Sequence, residues 1–207
     1  MEMTLFEKIL KCDFEALAKH KGYSYFTKGD YNINLIGVRS KESVIQQNKF
    51  DDAIVLDYSI GPIHYRNVYK ATTDPGITYL KKPLIISGCA IVVPGQYKGV
   101  FKLGKHQGKY EALVQNKPIK VYRDNNRDNV LDFDKSKIEE GMFGINMHKA
   151  GTNSEFINNW SAGCQVFKVS EDYLKAMAII KISIRMYGNS MTYTLYDEKD
   201  LDNFITK

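Results

Sequence analysis

A histidine and a cysteine sixteen positions apart, His148 and Cys164, lie in the stretch Phe143 to Phe167, which reads Phe-Gly-Ile-Asn-Met-His-Lys-Ala-Gly-Thr and, further on, Asn-Asn-Trp-Ser-Ala-Gly-Cys-Gln-Val-Phe. These residue types suit thiol acyl transfer, which needs a base, a nucleophile and a tight turn whose backbone N–H groups face an oxyanion. A cysteine attacks as thiolate, and a neighbouring imidazolium lowers its free pKa of about 8.5. His148 is therefore the expected activator of Cys164, returning the proton later to the leaving amine. Gly163, with no Cβ, lets the chain turn sharply and lets a carbonyl approach the N–H groups of Cys164 and of Gly163 itself. Ser161 either caps that turn or hydrogen-bonds the site, and Trp160 walls it. The plain alternative is a buried small thiol and a satisfied polar histidine with no joint role.

The order and spacing of His148, Ser161, Gly163 and Cys164 resemble the signature of the L,D-transpeptidase catalytic-domain family, in which a His precedes Ser-His-Gly-Cys by a similar interval. The likeness covers the 25 residues of that stretch. Lys149 stands where the family has Gly after the first His, Ala162 where it has a second His, and Gln165-Val166 where it has an apolar residue and Arg. The family's Arg lies beside its substrate cleft, so that contact is missing here. Trp160, Lys149, Gln165 and His106 are the candidates for substrate binding. The chain as a whole is also similar to bacteriophage proteins that carry such a domain.

The resemblance implies a mixed β-sandwich-like core, acylation of Cys164 by an amide carbonyl of a peptidoglycan stem peptide, and neither metal nor cofactor. Hydrolysis, as in a carboxypeptidase, endopeptidase or phage lysin, is preferred to cross-linking. The alternatives are an L,D-transpeptidase proper and an inactive module that binds cell wall or belongs to a virion.

The 207 residues, 43% hydrophobic and 26% charged, describe one domain able to bury its own core. A net charge of +5 suits an anionic polymer such as cell wall, yet the Lys and Arg are scattered. No arginine-rich arm, zinc spacing or RNA-binding aromatic signature is present, so nucleic acid is not expected as a partner. Cys12, Cys89 and Cys164 are an odd set at wide spacing, which argues against a disulfide framework and leaves Cys12 and Cys89 inert. Charges interrupt every apolar run of the first residues, so neither a secretory signal nor membrane insertion is expected. The expectation is synthesis in the cytoplasm and action on the wall after release, or on the virion. Nothing in the sequence sets an oligomeric state.

The elements that must position His148 and Cys164 follow from periodicity. Leu5, Phe6, Ile9, Leu10, Phe14 and Leu17 recur at helical spacing, predicting one amphipathic helix over 1–21 that ends at Gly22 and packs as a lid; His20 favours its C-terminus. Strand-sized runs follow at Ile33 to Val38, Ala53 to Tyr58, Leu84 to Val93, Lys98 to Leu103 and Ile119 to Tyr122, with turns at Asp74-Pro75-Gly76 and Pro94-Gly95. His106, in Gly104 to Lys109, is either a cleft residue or an exposed hairpin histidine, and that stretch lacks the ending of a nucleotide loop. Asp124 to Asp132 alternates oxygen-bearing residues like a calcium loop, but Asn129 and Lys135 occupy places that need Gly and Glu, so a solvated turn is favoured. Val166 to Val169 continues a strand, Ser170 caps a helix that backs the site, Met191 to Tyr196 alternates as a strand, and Asp197 opens a short terminal helix. The expected fold is a single β-rich α+β domain over 1–207, with helices at both ends and 1–22 as a helical extension.

Overall fold

The computed structural model describes residues 2–44, 48–152 and 154–206, so Met1 of the expected first helix and Asn153 of the His-to-Cys stretch lie outside it. In chain order the elements are α1 (Leu5–Lys11), α2 (Phe14–His20), β1 (Asn34–Arg39), β2 (Asp52–Ile60), β3 (Ile63–Thr72), α3 (Ile77–Lys81), β4 (Cys89–Val92), β5 (Gly95–His106), β6 (Tyr110–Gln115), β7 (Ile119–Asp124), β8 (Ile138–Gly141), β9 (Met147–Lys149), β10 (Gln165–Phe167), α4 (Ser170–Tyr187), β11 (Met191–Asp197) and α5 (Glu198–Leu201). This is a strand-rich α+β fold. Eight strands close into a mixed barrel in the order β1-β11-β5-β6-β9-β10-β3-β2, and β4-β7-β8 form a separate three-stranded sheet. No described helix is long and apolar enough to cross a membrane.

Period-two alternation explains the layering. Leu35, Ile54, Leu56, Phe101, Met147, Phe167 and Tyr193 point into one interior, while Ile36, Val38, Ala53 and Val55 point outward beneath α1 and α2. β1 is covered on both faces and reads as an almost unbroken apolar run. α4 lays Tyr173, Ala176, Met177 and Ile180 into the same interior, and Tyr173 donates its hydroxyl to the Glu111 carbonyl at 2.6 Å. The small sheet adds Ala90, Val92, Ile119 and Val121 from its inner face, and packs Cys89, Ile91 and Tyr122 against Leu80 and Leu131 on its outer face.

Three expectations about elements change. The predicted first helix is two, because Asp13 accepts from the Ala16 N–H at 2.9 Å and starts a new helix where the first has ended at Lys11. Both pack on the outer wall of β1 and β2 with Tyr196 and Leu201, so they form a side layer there. The predicted Leu84–Val93 strand is only Cys89–Val92: Pro83 and the positive φ of Gly88 precede it, and Leu84, Ile85 and Ile86 are exposed. β3 and β6 escaped the apolar pattern. In β3 the outward residues serve a polar network in which Asp57 accepts from Tyr25 at 2.8 Å and from Arg66 at 2.5 Å, and Arg66 donates to the Ile9 and Cys12 carbonyls at the end of α1.

The barrel has one thin seam. β6 and β9 are joined in register by a single pair, Leu113 and Met147. Two carboxamides complete the join: Gln115 Oε1 accepts from the Phe143 and Ile145 N–H groups at 2.9 and 3.0 Å, and Asn146 Oδ1 accepts from the Gln115 N–H at 3.0 Å.

Candidate active site

β9 and β10 run parallel, with His148 registered against Val166 and the Gln165 N–H donating to the Asn146 carbonyl at 2.8 Å. Met147 faces the interior, so alternation turns Asn146 and His148 outward, and Cys164 shares that face with Val166. His148 and Cys164 therefore lie on one outward face of the two strands, and among the described residues no hydrogen bond joins them: Cys164 Sγ meets Asn146 and Gly144, and His148 meets Lys149, Tyr110 and His106.

The turn before the cysteine is closed by Ser161. Its buried hydroxyl donates to the Cys164 carbonyl at 2.8 Å and accepts from the Gly163 N–H at 3.1 Å. Ser161 thus caps the turn, and the Gly163 N–H is engaged within it. The Cys164 N–H has no partner among the described residues, which leaves it as the backbone donor for an oxyanion. Gly163 adopts φ +128°, and a Cβ there would lie 2.2 Å from the Ala90 carbonyl oxygen of β4. The Asp74-Pro75-Gly76 turn braces the other side, the Gly76 N–H donating to the Ser161 carbonyl at 2.8 Å.

Cys164 Sγ accepts from the Asn146 N–H at 3.4 Å, lies 3.7 Å from the Gly144 carbonyl and keeps partial exposure. Burial pushes its thiol up to about 11, opposed by the Asn146 N–H. Cys12 and Cys89 are more deeply buried and pushed up to about 12, as inert thiols should be.

His148 is 2% exposed. Its Nδ1 lies 2.9 Å from the Lys149 carbonyl, which can only accept, so Nδ1 carries the proton and Nε2 keeps the lone pair. The Tyr110 hydroxyl lies 3.4 Å from both Nδ1 and that carbonyl, and donates to the carbonyl. Burial, then the neighbouring His106, pull His148 down to about 4. At neutral pH the pair therefore rests as uncharged imidazole and uncharged thiol. The expected imidazolium-stabilised thiolate is not the resting arrangement, because burial disfavours the charged form of each group.

The remaining candidates divide. His106, at the end of β5, stacks on His148 with ring centroids 4.0 Å apart and planes 22° apart, and its Nδ1 accepts from Asn146 Nδ2 at 3.1 Å. Trp160 is 39% exposed and its ring covers Gly151, where a Cβ would meet it at 2.6 Å, so it walls the loop after His148. Lys149 Nζ lies 5.7 Å from the Tyr110 ring centroid. Gln165 corrects the reading made of it. It is fully buried, accepts from the Tyr193 hydroxyl at 2.6 Å and reaches back to the Gly163 carbonyl at 3.3 Å, so it braces the turn from inside the barrel and does not face a substrate.

Sequence reasoning missed Tyr110, Asn146 and Gly144. Asn146 was within reach, since it sits two positions before His148 and alternation places both on one face. In the Asp124 to Asp132 loop, Asn126, Asp128 and Asp124 oxygens accept from the loop's own N–H groups. No cluster of three or more His, Cys, Asp or Glu suited to a metal occurs among the described residues. No family model matches the chain, and neither the curated proteins nor the solved structures contain a match to it.

Proposed function

We propose that the chain is a cysteine-dependent acyl-transfer enzyme acting on amide bonds of peptidoglycan stem peptides, with water as the usual acceptor. The observation that carries this reading is the tautomer of His148: the Lys149 carbonyl holds the proton on Nδ1 and frees Nε2 as a base on the face that presents Cys164. The wall substrate rests on the resemblance of His148, Ser161, Gly163 and Cys164 to the L,D-transpeptidase signature. The resemblance implies a sandwich-like core; its support here is that the closed barrel and the three-stranded sheet share one apolar interior. Action on the wall follows release from the cell or carriage on a virion.

The chemistry starts from the neutral pair. As Cys164 Sγ attacks the amide carbonyl, its proton passes to His148 Nε2, and the oxyanion forms at the Cys164 N–H. His148 then gives that proton to the departing amine, leaving a thioester. Water attacks the thioester with His148 again as base, releasing the carboxylate and restoring the thiol. Chromatography of purified muropeptides tests the reading: shortened monomers are expected. New dimers with an L,D cross-link and no shortened monomers would replace hydrolysis by transpeptidation, and an unchanged profile would remove the enzyme.

The neutral resting pair also favours a second reading, an inactive wall-binding module. The two readings differ in how Cys164 answers reagents. Iodoacetamide needs a preformed thiolate, so labelling of the native protein should be slow at pH 7 and climb toward pH 11 in both cases. A carbapenem, which brings a carbonyl to the site, should react at pH 7 only if the site is catalytic. Fast iodoacetamide labelling at pH 7 would contradict the buried thiol itself.

A further inference from the structure

We propose that His106, held by Asn146, is the positioning residue of the base: its ring fixes the plane of His148 and hence the direction of the free Nε2 lone pair. The inference rests on the acyl-transfer reading of Cys164 and His148. One hydrogen bond at Nδ1 tethers an imidazole at a point and leaves the ring free to swing about that contact. The His106 ring, 4.0 Å away and nearly parallel, closes one face to that swing.

His106 is itself oriented. The Gln115 N–H donates to Asn146 Oδ1 at 3.0 Å, which settles the direction of the Asn146 carboxamide, because a backbone N–H must meet the oxygen. Asn146 Nδ2 then donates to His106 Nδ1 at 3.1 Å. The Tyr110 ring flanks His106 at 5.7 Å between centroids. Asn146 also donates its own N–H to Cys164 Sγ at 3.4 Å, so one residue holds the thiol and the ring that orders the base.

The titratable groups against His148 are His106 from β5 and Tyr110 from β6, with the Lys149 carbonyl from its own strand; Lys109 acts on His106 from the β5–β6 turn. Burial, and then the His106 charge, hold His148 neutral to about pH 4, and one face of the buried imidazole is covered by the stacked His106 ring. Removing that ring admits water, so the His148 titration must move up toward the ordinary histidine value of about 6.5.

The test is nitrogen-15 NMR of the imidazoles in the full chain, with the rate of carbapenem acylation measured beside it. In the wild type, His148 should show a single Nδ1–H tautomer that resists protonation to about pH 4. In His106→Ala it should titrate at least one pH unit higher with averaged tautomer signals, and the limiting acylation rate should fall roughly 10- to 100-fold with little change in half-saturation. His106→Phe keeps a stacking ring and should hold the low titration and recover most of the rate. His106→Gln keeps an acceptor for Asn146 but no ring, and should behave like His106→Ala. An unchanged His148 titration and tautomer in both the Ala and Gln variants would overturn the inference even if the wild type acylates normally. The predicted titration shifts in a protein that never acylates would leave His106 positioning intact and remove the acyl-transfer reading.

Discussion

Cys164→Ser is expected to give a folded protein that forms no adduct with a carbapenem, and His148→Ala to slow adduct formation by roughly a thousandfold or more, as removal of a member of a nucleophile–base unit does elsewhere. The effect is large because the thiol rests uncharged, pushed up to about 11, so attack needs a base to take its proton. Mass spectrometry of the intact protein reads both variants directly. The same assay carries a pH signature. A histidine whose value is lowered keeps its basic form as pH falls, so adduct formation should persist to about pH 5 and fail near 4, where His148 takes a proton. An adduct on Cys164→Ser, or none on an intact wild type, would end the proposal.

Gly163→Ala should damage both the turn and the site, although it adds only one methyl group. Its Cβ would lie 2.2 Å from the Ala90 carbonyl oxygen, which is backbone and cannot step aside, and φ +128° suits no side chain. Strain of about 1–3 kcal/mol and overpacking of similar size add to about 2–6 kcal/mol. For a chain of this length that is a fall of roughly 4–24 °C in Tm. Acylation should fall further than stability accounts for, because a displaced Gly163 moves the Cys164 N–H. Gly108→Ala is the control. It has φ +72° with open space around it, so it should cost only about 1 kcal/mol and leave acylation intact. Equal melting points for the two variants would show that the turn has slack.

The parts of the site carried by short-range chemistry could be read from the sequence. The His-to-Cys interval, the small residues ahead of Cys164, the helix after it and the opening of α5 at Asp197 follow from residue type and local period. Ser170, however, does not cap α4: the N-cap is Val169, and the Ser170 hydroxyl donates to the Ala150 carbonyl at 3.3 Å. What could not be read depends on which strands become neighbours. His106 and His148 are 42 positions apart and meet only because the barrel order brings β5, β6 and β9 side by side. Gln165 was misplaced for a related reason. β10 is three residues long, too short for alternation to show which residue faces inward, and its partner Tyr193 comes from across the interior. The first helix was read as one because apolar spacing continues through Cys12-Asp13, and the capping role of Asp13 is decided by its own geometry.

Most barrels are sealed by peptide groups, which every residue but proline supplies alike, so few single substitutions can unfasten them. Between β6 and β9 this chain is sealed instead by the carboxamides of Gln115 and Asn146, and the seal depends on two particular side chains. The imidazole pair straddles that join, with His106 on one bank and His148 on the other. Any spreading of the wall at this place must therefore part the two rings before it disturbs the hydrophobic interior, so reactivity at Cys164 would register a loosening of the barrel well before the melting temperature does.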